Sequence, residues 1–580
     1  MEPMEMQRGA RGGPGTGRSA GQGAGQGAGQ GAGPGAGPGT PSGVGPGTPS
    51  GTGPGTPSGN RYGTRPPHAP VVVGVGPVSV DDVVAVAREG VGVQLGSDAL
   101  AEIARTRKVV EALADDIAPH YGISTGFGAL ATVHIPAAAR VQLQRSLIRS
   151  HAAGSGPEVE REVVRAMMLL RLSTLATGRT GVRVDTARAY AALLSSGMTP
   201  LVYEYGSLGC SGDLAPLSHV ALALMGEGEV RDAEGHVQPA GQALRAAGLE
   251  PVVLAEKEGL ALVNGTDGML GMLSLAIHDL RRLLTAADVA AAMSVEALLG
   301  TDAVYAADLQ ALRPHPGQSA SAANLRGLLA GSPIMASHRG PGCAAVQDAY
   351  SLRCAPAVHG AARDIVDHAA VVAARELASA IDNPVVTLDG RVESSGNFHG
   401  APVGHVLDFL AIAAADVAGI SERRTDRMLD VARSRGLPPF LAHDPGVDSG
   451  LMISQYTAAG IVSEMKRLAV PASVDSVPSS AMQEDHVSMG WAAGRKLRRS
   501  VDALGRVIGI EILAAARALD LRAPLQPAPA TAAVRDAVRA AVGGPGPDRH
   551  VAPQIQAVVD AVTSGALVAA AREALETPIV

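Results

Sequence analysis

The sequence predicts a mainly α-helical protein, in which a bundle of long helices follows a smaller mixed N-terminal region and a disordered tail. Apolar residues recur at helical spacing through most of the chain after residue 160, and alternating strand patterns are few. Only 2% of the 580 residues are aromatic, so Ala, Val and Leu must fill the core, and Ala and Leu favour helices. Helices packed on one another are the expected architecture.

The tail covers residues 1–68 and consists of Gly- and Pro-rich repeats. It holds 23 of the 72 glycines and 11 of the 39 prolines, arranged as GQGA tetrads and three copies of GPGTPSG. Such a sequence has too little apolar surface to offset the entropy of ordering. We therefore expect it to be disordered and to take no part in chemistry.

Two further parts are predicted after the tail. Residues 69–260 form the mixed N-terminal region, in which the Val-rich stretch 71–80 indicates a strand or two. Residues 261–580 form the central and C-terminal helical bundle.

Three windows predict the long helices of this architecture. Residues 159–177 have helical periodicity and end before Gly178, which suits a helix C-terminus. Residues 361–381 end shortly before Pro384, which disfavours helix at the preceding residue. Residues 501–519 form the third window.

Composition and charge exclude several classes of function. The formal charge is −7 and no five consecutive residues are Lys or Arg, so a basic nucleic-acid surface is not expected. The three cysteines, Cys210, Cys343 and Cys354, make neither a disulfide framework nor a CxxC metal pair. No signal-peptide core is present, and no run of ~18 uncharged apolar residues could span a membrane. A cytoplasmic protein with no nucleic-acid or membrane partner is predicted.

The most informative segment is GSLGCSGDLAPL, residues 206–217. Its three glycines within seven residues allow the backbone to turn tightly. Asp213 is placed to cap a helix that begins at Leu214. Taken alone, such a segment is more often an ordinary loop before a helix.

Together with the segments described below, this loop resembles that of the aromatic amino acid ammonia-lyases. In that family an Ala-Ser-Gly or Cys-Ser-Gly tripeptide cyclises and dehydrates to a methylidene-imidazolone, an electrophilic prosthetic group. The resemblance assigns the three positions to Cys210, Ser211 and Gly212, with no external cofactor. Ser211 becomes a dehydroalanine, and Gly212 closes the ring because no side chain obstructs its amide nitrogen. Cys210 contributes its carbonyl, and its thiol has no assigned role.

Three more segments match the family in order. The resemblance makes Tyr121, in YGISTGFG, a group that exchanges a proton with the substrate. It places His151, in SHAAG, against the substrate ring, although a lone histidine is more often structural. It gives Asn264, in NGT, a hydrogen bond to the prosthetic group, as an oxyanion donor would make. The family often has Gln where this chain has Asp267.

The segment QDAYSLRC, residues 347–354, resembles the family's carboxylate-binding segment. A guanidinium can hold a carboxylate through two parallel hydrogen bonds, and the resemblance gives this role to Arg353. Tyr350, a further catalytic candidate, and Gln347 precede it by three and six residues, a helical spacing that predicts one shared wall. Asn383 and Phe398, in two later segments, complete the predicted substrate-binding set.

Glu484, in QEDHVSM, carries the substrate prediction. No set of three or four spaced ligands accompanies this acidic run, so a metal site is not predicted. Family members that act on histidine carry a carboxylate here, whereas those that act on phenylalanine or tyrosine usually carry Gln. The resemblance thus implies elimination of ammonia from L-histidine to give trans-urocanate, the first step of histidine degradation. Either Tyr121 or Glu484 would remove the β-proton. It also implies a homotetramer whose pockets are lined by more than one subunit.

Three alternatives stay open at this point. The first is a tyrosine or phenylalanine ammonia-lyase or aminomutase on the same scaffold, against which His151 and Glu484 together argue. The second is a fumarase-like lyase without a prosthetic group, which leaves the Cys-Ser-Gly tripeptide unexplained. The third is a catalytically inactive helical scaffold, which leaves the whole set of polar residues unexplained.

Overall fold

Long α-helices account for most of the chain after the tail in a computed structural model of the protein. The structure describes residues 69–116, 118–126, 132–340 and 346–580. The predicted disordered tail lies outside the described residues, as do Phe127, Gly128 and Cys343. The mainly α-helical class is confirmed, and the division at residues 260 and 261 stays a prediction.

The helices run through the described chain as follows: α1 (Val80–Arg88), α2 (Ser97–Ala114), α3 (Arg140–His151), α4 (Arg161–Ala176), α5 (Val184–Ser195), α6 (Leu214–Leu224), α7 (Ala240–Ala246), α8 (Glu258–Val263), α9 (Asp267–Ala297), α10 (Ala307–Ala311), α11 (Pro316–Leu328), α12 (Pro333–Ser337), α13 (Tyr350–Arg353), α14 (Ala355–Leu377), α15 (Ala401–Leu429), α16 (Met452–Leu468), α17 (Gly490–Asp520), α18 (Pro529–Val542), α19 (Ala552–Ser564) and α20 (Ala566–Glu573). Short 3₁₀ turns occur at Ala137–Ala139, Ala303–Tyr305, Pro439–Leu441 and Ser480–Met482.

The strands are short and lie mostly in the N-terminal half: β1 (Val71–Val73), β2 (Val93–Leu95), β3 (Ser155–Glu158), β4 (Thr199–Pro200), β5 (Tyr203–Tyr205), β6 (Glu229–Arg231), β7 (Val237–Pro239), β8 (Val385–Val386) and β9 (Val392–Glu393). Strands β1 and β2 pair in parallel, with Val71 opposite Val93. Strands β4, β6 and β7 form a three-stranded antiparallel sheet, and β3–β5 and β8–β9 are antiparallel pairs. Strand β5 leads directly into the loop that holds the tripeptide.

The three predicted long helices are all present. Helix α4 occupies the first window, and Gly178, at φ 71°, follows its end in the left-handed conformation that glycine tolerates. Helix α17 covers the third window but begins earlier, because its apolar stripe already starts at Trp491. Helix α14 also begins earlier than its window, because Pro356 fits its first turn, and it ends at Leu377, before the predicted end at residue 381.

Helix α9 is the centre of the bundle. It is 31 residues long, almost every residue of it is buried, and it packs against α4, α14, α15 and α17. Alanines such as Ala286, Ala287 and Ala290 line much of its length, which lets neighbouring helices approach closely. The helix begins at Asp267, directly after the segment that contains Asn264, so the core of the bundle anchors that segment.

Two helical stretches are long and apolar enough to cross a membrane by length and composition alone. They are Glu258–Ala297, with a mean hydropathy of 1.4, and Ala401–Leu429, with 1.7, and the bent pair α19 and α20 counts as a third if taken as one span. The most apolar window of the first stretch is 100% buried inside the protein, and that of the second is 61% buried. Burial against other helices is the ordinary use of such stretches in a helical bundle. The expectation of no membrane-spanning segment stays a prediction.

Candidate active site

The loop between β5 and α6 holds the Cys210-Ser211-Gly212 tripeptide at the head of a helix. Gly209 and Gly212 both have left-handed backbones, with φ of 65° and 74°. The loop is closed by the Ser207 hydroxyl, which accepts a hydrogen bond from the Gly209 N–H at 3.1 Å. Ser488, which precedes α17, donates its hydroxyl to the Gly209 carbonyl at 2.9 Å and ties the loop to the bundle.

Asp213 starts helix α6 at the predicted place, but its side chain does not cap that helix. The carboxylate instead accepts hydrogen bonds from the Ser207 hydroxyl at 2.9 Å and from the Met269 N–H of α9 at 2.9 Å. The capping prediction was therefore wrong, because a carboxylate pulled toward α9 cannot also reach the first turn of α6. Complete burial raises the pKa of Asp213 to about 7.

Gly212 and Gly265 touch at their backbones. A Cβ added at Gly212 would lie 2.0 Å from the Gly265 carbonyl oxygen, far inside van der Waals contact. That same oxygen accepts a hydrogen bond from the Asp213 N–H at 2.7 Å. Only a residue without a side chain fits at position 212, and the amide nitrogen that ring closure needs is left unobstructed. The tripeptide's surroundings thus fit the cyclised group.

A cavity of about 600 Å³ opens in front of Ser211. Of the residues predicted from the sequence, it is lined by Tyr121, His151, Ser211, Asn264, Asn383 and Glu484. Apolar side chains complete its walls, among them Leu147, Leu214, Leu260 and Val263. A small ligand with one ring and a polar end matches a largely apolar cavity with a few convergent polar groups.

Asn264 lies on the wall next to the tripeptide and is buried. Its side-chain Nδ2 donates to the Asn383 carbonyl at 2.9 Å, which fixes the orientation of the amide. Its Oδ1 is buried without a hydrogen-bond partner among the described residues. An unpaired buried amide oxygen is costly unless a ligand or prosthetic group supplies a partner, so this position favours a bound polar group.

Glu484 is held by a tight loop whose ends pair with each other. Its Oε2 accepts the Ser479 hydroxyl at 2.7 Å, and its backbone N–H donates to the Ser479 carbonyl. The three residues Ser480, Ala481 and Met482 between them have positive φ, an uncommon run for residues with side chains. Sequence reasoning missed Ser479, since a serine five residues before an acid is no signal until the left-handed turn brings the two together.

The Cys210 thiol also lies beside Glu484. Burial, reinforced by the neighbouring Glu484 carboxylate, raises the pKa of this thiol to about 12. Cys210 is therefore a neutral thiol at ordinary pH and not a nucleophile. This agrees with an assignment in which only its carbonyl takes part in ring formation.

His151 ends helix α3 and faces the same cavity. Its Nδ1 lies 2.9 Å from the Leu147 carbonyl, which can only accept, so Nδ1 carries the proton. Burial lowers the pKa of His151, which keeps the ring neutral. A neutral ring protonated at Nδ1 offers Nε2 as a hydrogen-bond acceptor.

Six of the predicted residues do not line this cavity within one chain: Cys210 and Gly212, which flank Ser211, and Gln347, Tyr350, Arg353 and Phe398. Gln347, Tyr350 and Arg353 form their own cluster, in which the Arg353 guanidinium lies 4.7 Å over the Tyr350 ring and donates to the Gln347 amide oxygen at 2.9 Å. Tyr350 is 71% exposed, and Arg353 is half-buried. The three side chains are neighbours, and their place in a substrate-binding wall stays a prediction.

A larger groove of about 770 Å³ lies elsewhere and has none of the predicted residues in its lining. Arg281 and Arg282 of α9 contribute to it, together with Arg363 of α14. The smaller cavity is the candidate active site because Ser211 of the tripeptide lines it. Within the described ranges, no group of three or more His, Cys, Asp or Glu residues is placed to hold a metal ion.

Comparisons with known proteins agree over most of the chain. Residues 78–540 match the family model described as "Aromatic amino acid lyase". Histidine ammonia-lyase of Streptomyces coelicolor is 63% identical over 502 residues, which are 86% of this chain and 98% of that protein. Among solved structures, tyrosine aminomutase from Streptomyces globisporus has a TM-score of 0.84 at 36% identity, covering 88% of this chain and 100% of that one. Histidine ammonia-lyase from Trypanosoma cruzi has a TM-score of 0.80 at 38% identity, covering 87% and 95%.

Proposed function

The chain belongs to the aromatic amino acid lyase family, and from that premise we propose that it eliminates ammonia from L-histidine to give trans-urocanate. It is a carbon–nitrogen lyase. The observation that carries the substrate assignment is Glu484, a carboxylate in the cavity that Ser211 and His151 also line. A carboxylate and a neutral imidazole can both pair with the ring nitrogens of histidine, whereas a phenyl ring offers them no partner.

The prosthetic group of the proposal is a methylidene-imidazolone made from Cys210, Ser211 and Gly212, with no external cofactor. Two observations support it: the left-handed backbone of Gly212 and its contact with Gly265. The group supplies an electrophilic carbon that makes the substrate amine a better leaving group. Asn264 would donate to the group's oxygen through the second N–H of Nδ2, since the first is given to the Asn383 carbonyl.

The remaining side chains bind the substrate and move its protons. Tyr121 and Glu484 both line the cavity, and either can take the β-proton that must leave with ammonia. His151, neutral and protonated at Nδ1, would accept a hydrogen bond at Nε2 from the substrate. Leu147, Leu260 and Val263 exclude water from the rest of the cavity, which strengthens each of these polar contacts.

We also propose that the protein is a cytoplasmic homotetramer in which neighbouring subunits complete each site. Neither Arg353 nor Tyr350 lines the cavity of its own chain, and Tyr350 is exposed, so this cluster would reach the cavity of another chain. Exposed apolar side chains on α15 and α16, including Phe409, Ile412 and Ile453, support burial of those helices between copies.

A mixing experiment tests this assembly. Ser211→Ala and Arg353→Ala chains, each expected to be inactive alone, are co-expressed in equal amounts. If the two residues reach a site from different chains, hybrid tetramers should regain about a quarter of wild-type activity, because each site then needs one chain of each kind. Ser211→Ala mixed with Glu484→Gln should regain far less, since those two residues share one chain's cavity. Equal recovery in the two mixtures, or none in the first, would contradict a shared site.

The substrate assignment is tested by one absorbance assay. trans-Urocanate, coumarate and cinnamate absorb in the ultraviolet, and their parent amino acids absorb far less there. Purified protein is incubated separately with L-histidine, L-tyrosine and L-phenylalanine, and kcat/KM is compared. We expect L-histidine to be preferred by orders of magnitude, because the polar groups that receive an imidazole are left unpaired by a phenyl ring. Preference for tyrosine or phenylalanine would overturn the substrate while leaving ammonia elimination in place.

A further inference from the structure

Four buried charges lie directly behind the segment that touches the tripeptide. Lys257 donates its Nζ to Asp382 at 2.6 Å, and both side chains are fully buried. Arg171 of α4 lies 3.5 Å from Asp267 at the start of α9, with side-chain exposures of 0% and 5%. We call these four residues the charge layer. With two cations and two anions, the layer is neutral as a whole.

The charge layer holds the segment around Asn264 through short contacts. Asp382 accepts the Asn383 N–H at 2.8 Å, and the Asn383 carbonyl in turn receives the Asn264 amide. Arg171 donates to the Ile381 carbonyl at 2.7 Å, so both ion pairs grip the same stretch of backbone. Burial raises the pKa of Asp267 and lowers that of Lys257, and the opposite charges beside each act against these shifts.

Gly265 is pressed between the charge layer and the tripeptide. A Cβ added to it would lie 2.5 Å from Asp267 Oδ2 and 2.7 Å from Arg171 Nη1. On its other side, its carbonyl oxygen meets Gly212 and accepts the Asp213 N–H. If Arg171 or Asp267 moves, Gly265 must therefore move as well, and Gly265 contacts Gly212 directly.

We propose that Asp267 and Arg171 position Gly265 against the tripeptide and that ring closure depends on this pair. The inference rests on the prosthetic group proposed above. In ring closure, the Gly212 nitrogen bonds to the Cys210 carbonyl carbon, and the carbonyl oxygen leaves as water with the amide protons of Ser211 and Gly212. A second water takes the Cα hydrogen and the hydroxyl of Ser211. Both steps need the backbone held in one compressed arrangement, which the charge layer maintains.

Arg171 shows why the acid at 267 matters in this chain. Its Nε and Nη1 are buried without hydrogen-bond partners among the described residues. The carboxylate of Asp267, 3.5 Å from Nε, is therefore the negative charge that balances this part of the guanidinium. A buried guanidinium without a counter-charge is strongly unfavourable. In this chain an amide at 267 would leave the layer with a net positive charge, and Arg171 would shift or draw in water beside Gly265.

The test follows maturation by mass and does not depend on activity. Newly synthesised chain is sampled over time, and intact mass reports the loss of two waters, about 36 Da. Asp267→Asn should lose this mass about tenfold more slowly than wild type, measured on folded, soluble chain with wild-type helical circular dichroism. Arg171→Gln/Asp267→Asn, which restores neutrality, should mature faster than the single variant and more slowly than wild type.

Asp288→Asn is the matched control. Asp288 is an equally buried acid on α9, held by Ser321, His359 and Arg363, and it lies ~32 Å along the helix from Asp267. The Asp288→Asn variant should have a lower melting temperature than wild type, while its rate of mass loss stays at the wild-type value. Equal slowing by Asp288→Asn, or wild-type maturation of Asp267→Asn, would overturn the inference.

Two further outcomes are decided by the same samples. If Asp267→Asn does not fold, the neutral double variant replaces it, and maturation at the wild-type rate in that variant overturns the inference whereas slower maturation supports it. If the wild-type chain itself never loses mass, the prosthetic group proposed for this protein is wrong, and the inference falls with it. Failure of the inference alone is recognised by normal mass loss in wild type and variants together.

Discussion

Ser211→Ala is expected to remove nearly all ammonia-lyase activity while leaving the protein folded. Without the serine hydroxyl no methylidene can form, so the loss of about 36 Da expected of wild type should be absent. Loss of a group on which the covalent chemistry depends typically lowers kcat by about 10³-fold or more. Ser211 is half-buried at the cavity wall, so removing one hydroxyl takes little packing from the core.

Ser218→Ala provides the control for this prediction. Ser218 is a buried serine on α6, the helix that follows the tripeptide, and its hydroxyl bonds the Leu214 carbonyl at 2.7 Å. This variant should keep both the mass loss and the activity. Intact mass, circular dichroism and turnover of L-histidine are measured on both proteins. An active Ser211→Ala enzyme would exclude the proposed electrophile.

Glu484→Gln is expected to lower kcat/KM for L-histidine by roughly 10- to 150-fold, the equivalent of a hydrogen bond to a charged group worth about 1.5–3 kcal/mol. The change keeps the size of the side chain and an oxygen that can still accept from Ser479, so the left-handed loop should persist. The substitution removes the negative charge that would face the imidazole ring of the substrate or accept the substrate's β-proton.

The His151→Phe variant tests whether His151, which lines the same cavity as Glu484, recognises the substrate ring. An aromatic face replaces the imidazole acceptor, so use of L-histidine should weaken and use of L-phenylalanine should rise relative to it. The kcat/KM values for histidine, tyrosine and phenylalanine are compared in wild type and in both variants. Unchanged ratios in the two variants would show that neither residue recognises the ring.

Helical periodicity was sufficient to predict three of the long helices, whereas α9 and α15 were not singled out. The windows for α4, α14 and α17 were found because each helix buries one broad apolar face at a spacing that the sequence displays directly. The side chain of Asp213 could not be predicted in this way. Its competing partner, the Met269 N–H, lies 56 residues further along the chain, and only the packed bundle brings the two together.

The candidate site, like the fold, was predicted in part from the sequence. Motifs that resemble the family indicated Tyr121, His151, Ser211, Asn264 and Glu484, and the structure brings them to one cavity. The sequence did not indicate that Arg353 and Tyr350 lie outside the lining of that cavity in one chain, because a motif carries no information on where the fold places it relative to the others. The charge layer was also missed, since Arg171 lies in an apolar helical segment and Lys257 lies between Glu256 and Glu258, and neither pattern indicates a buried partner far along the chain.

The contact between Gly212 and Gly265 has a consequence for the covalent state of each molecule after it unfolds. Because only the native fold brings these two backbones into contact, and because the proposed loss of water from the tripeptide would not be reversed on unfolding, we expect every chain that has once folded to keep the lower mass. Denatured protein could then be sorted by mass into molecules that had reached the native state and molecules that never had. Such a sample would measure the folding yield inside the cell after the fold itself is gone.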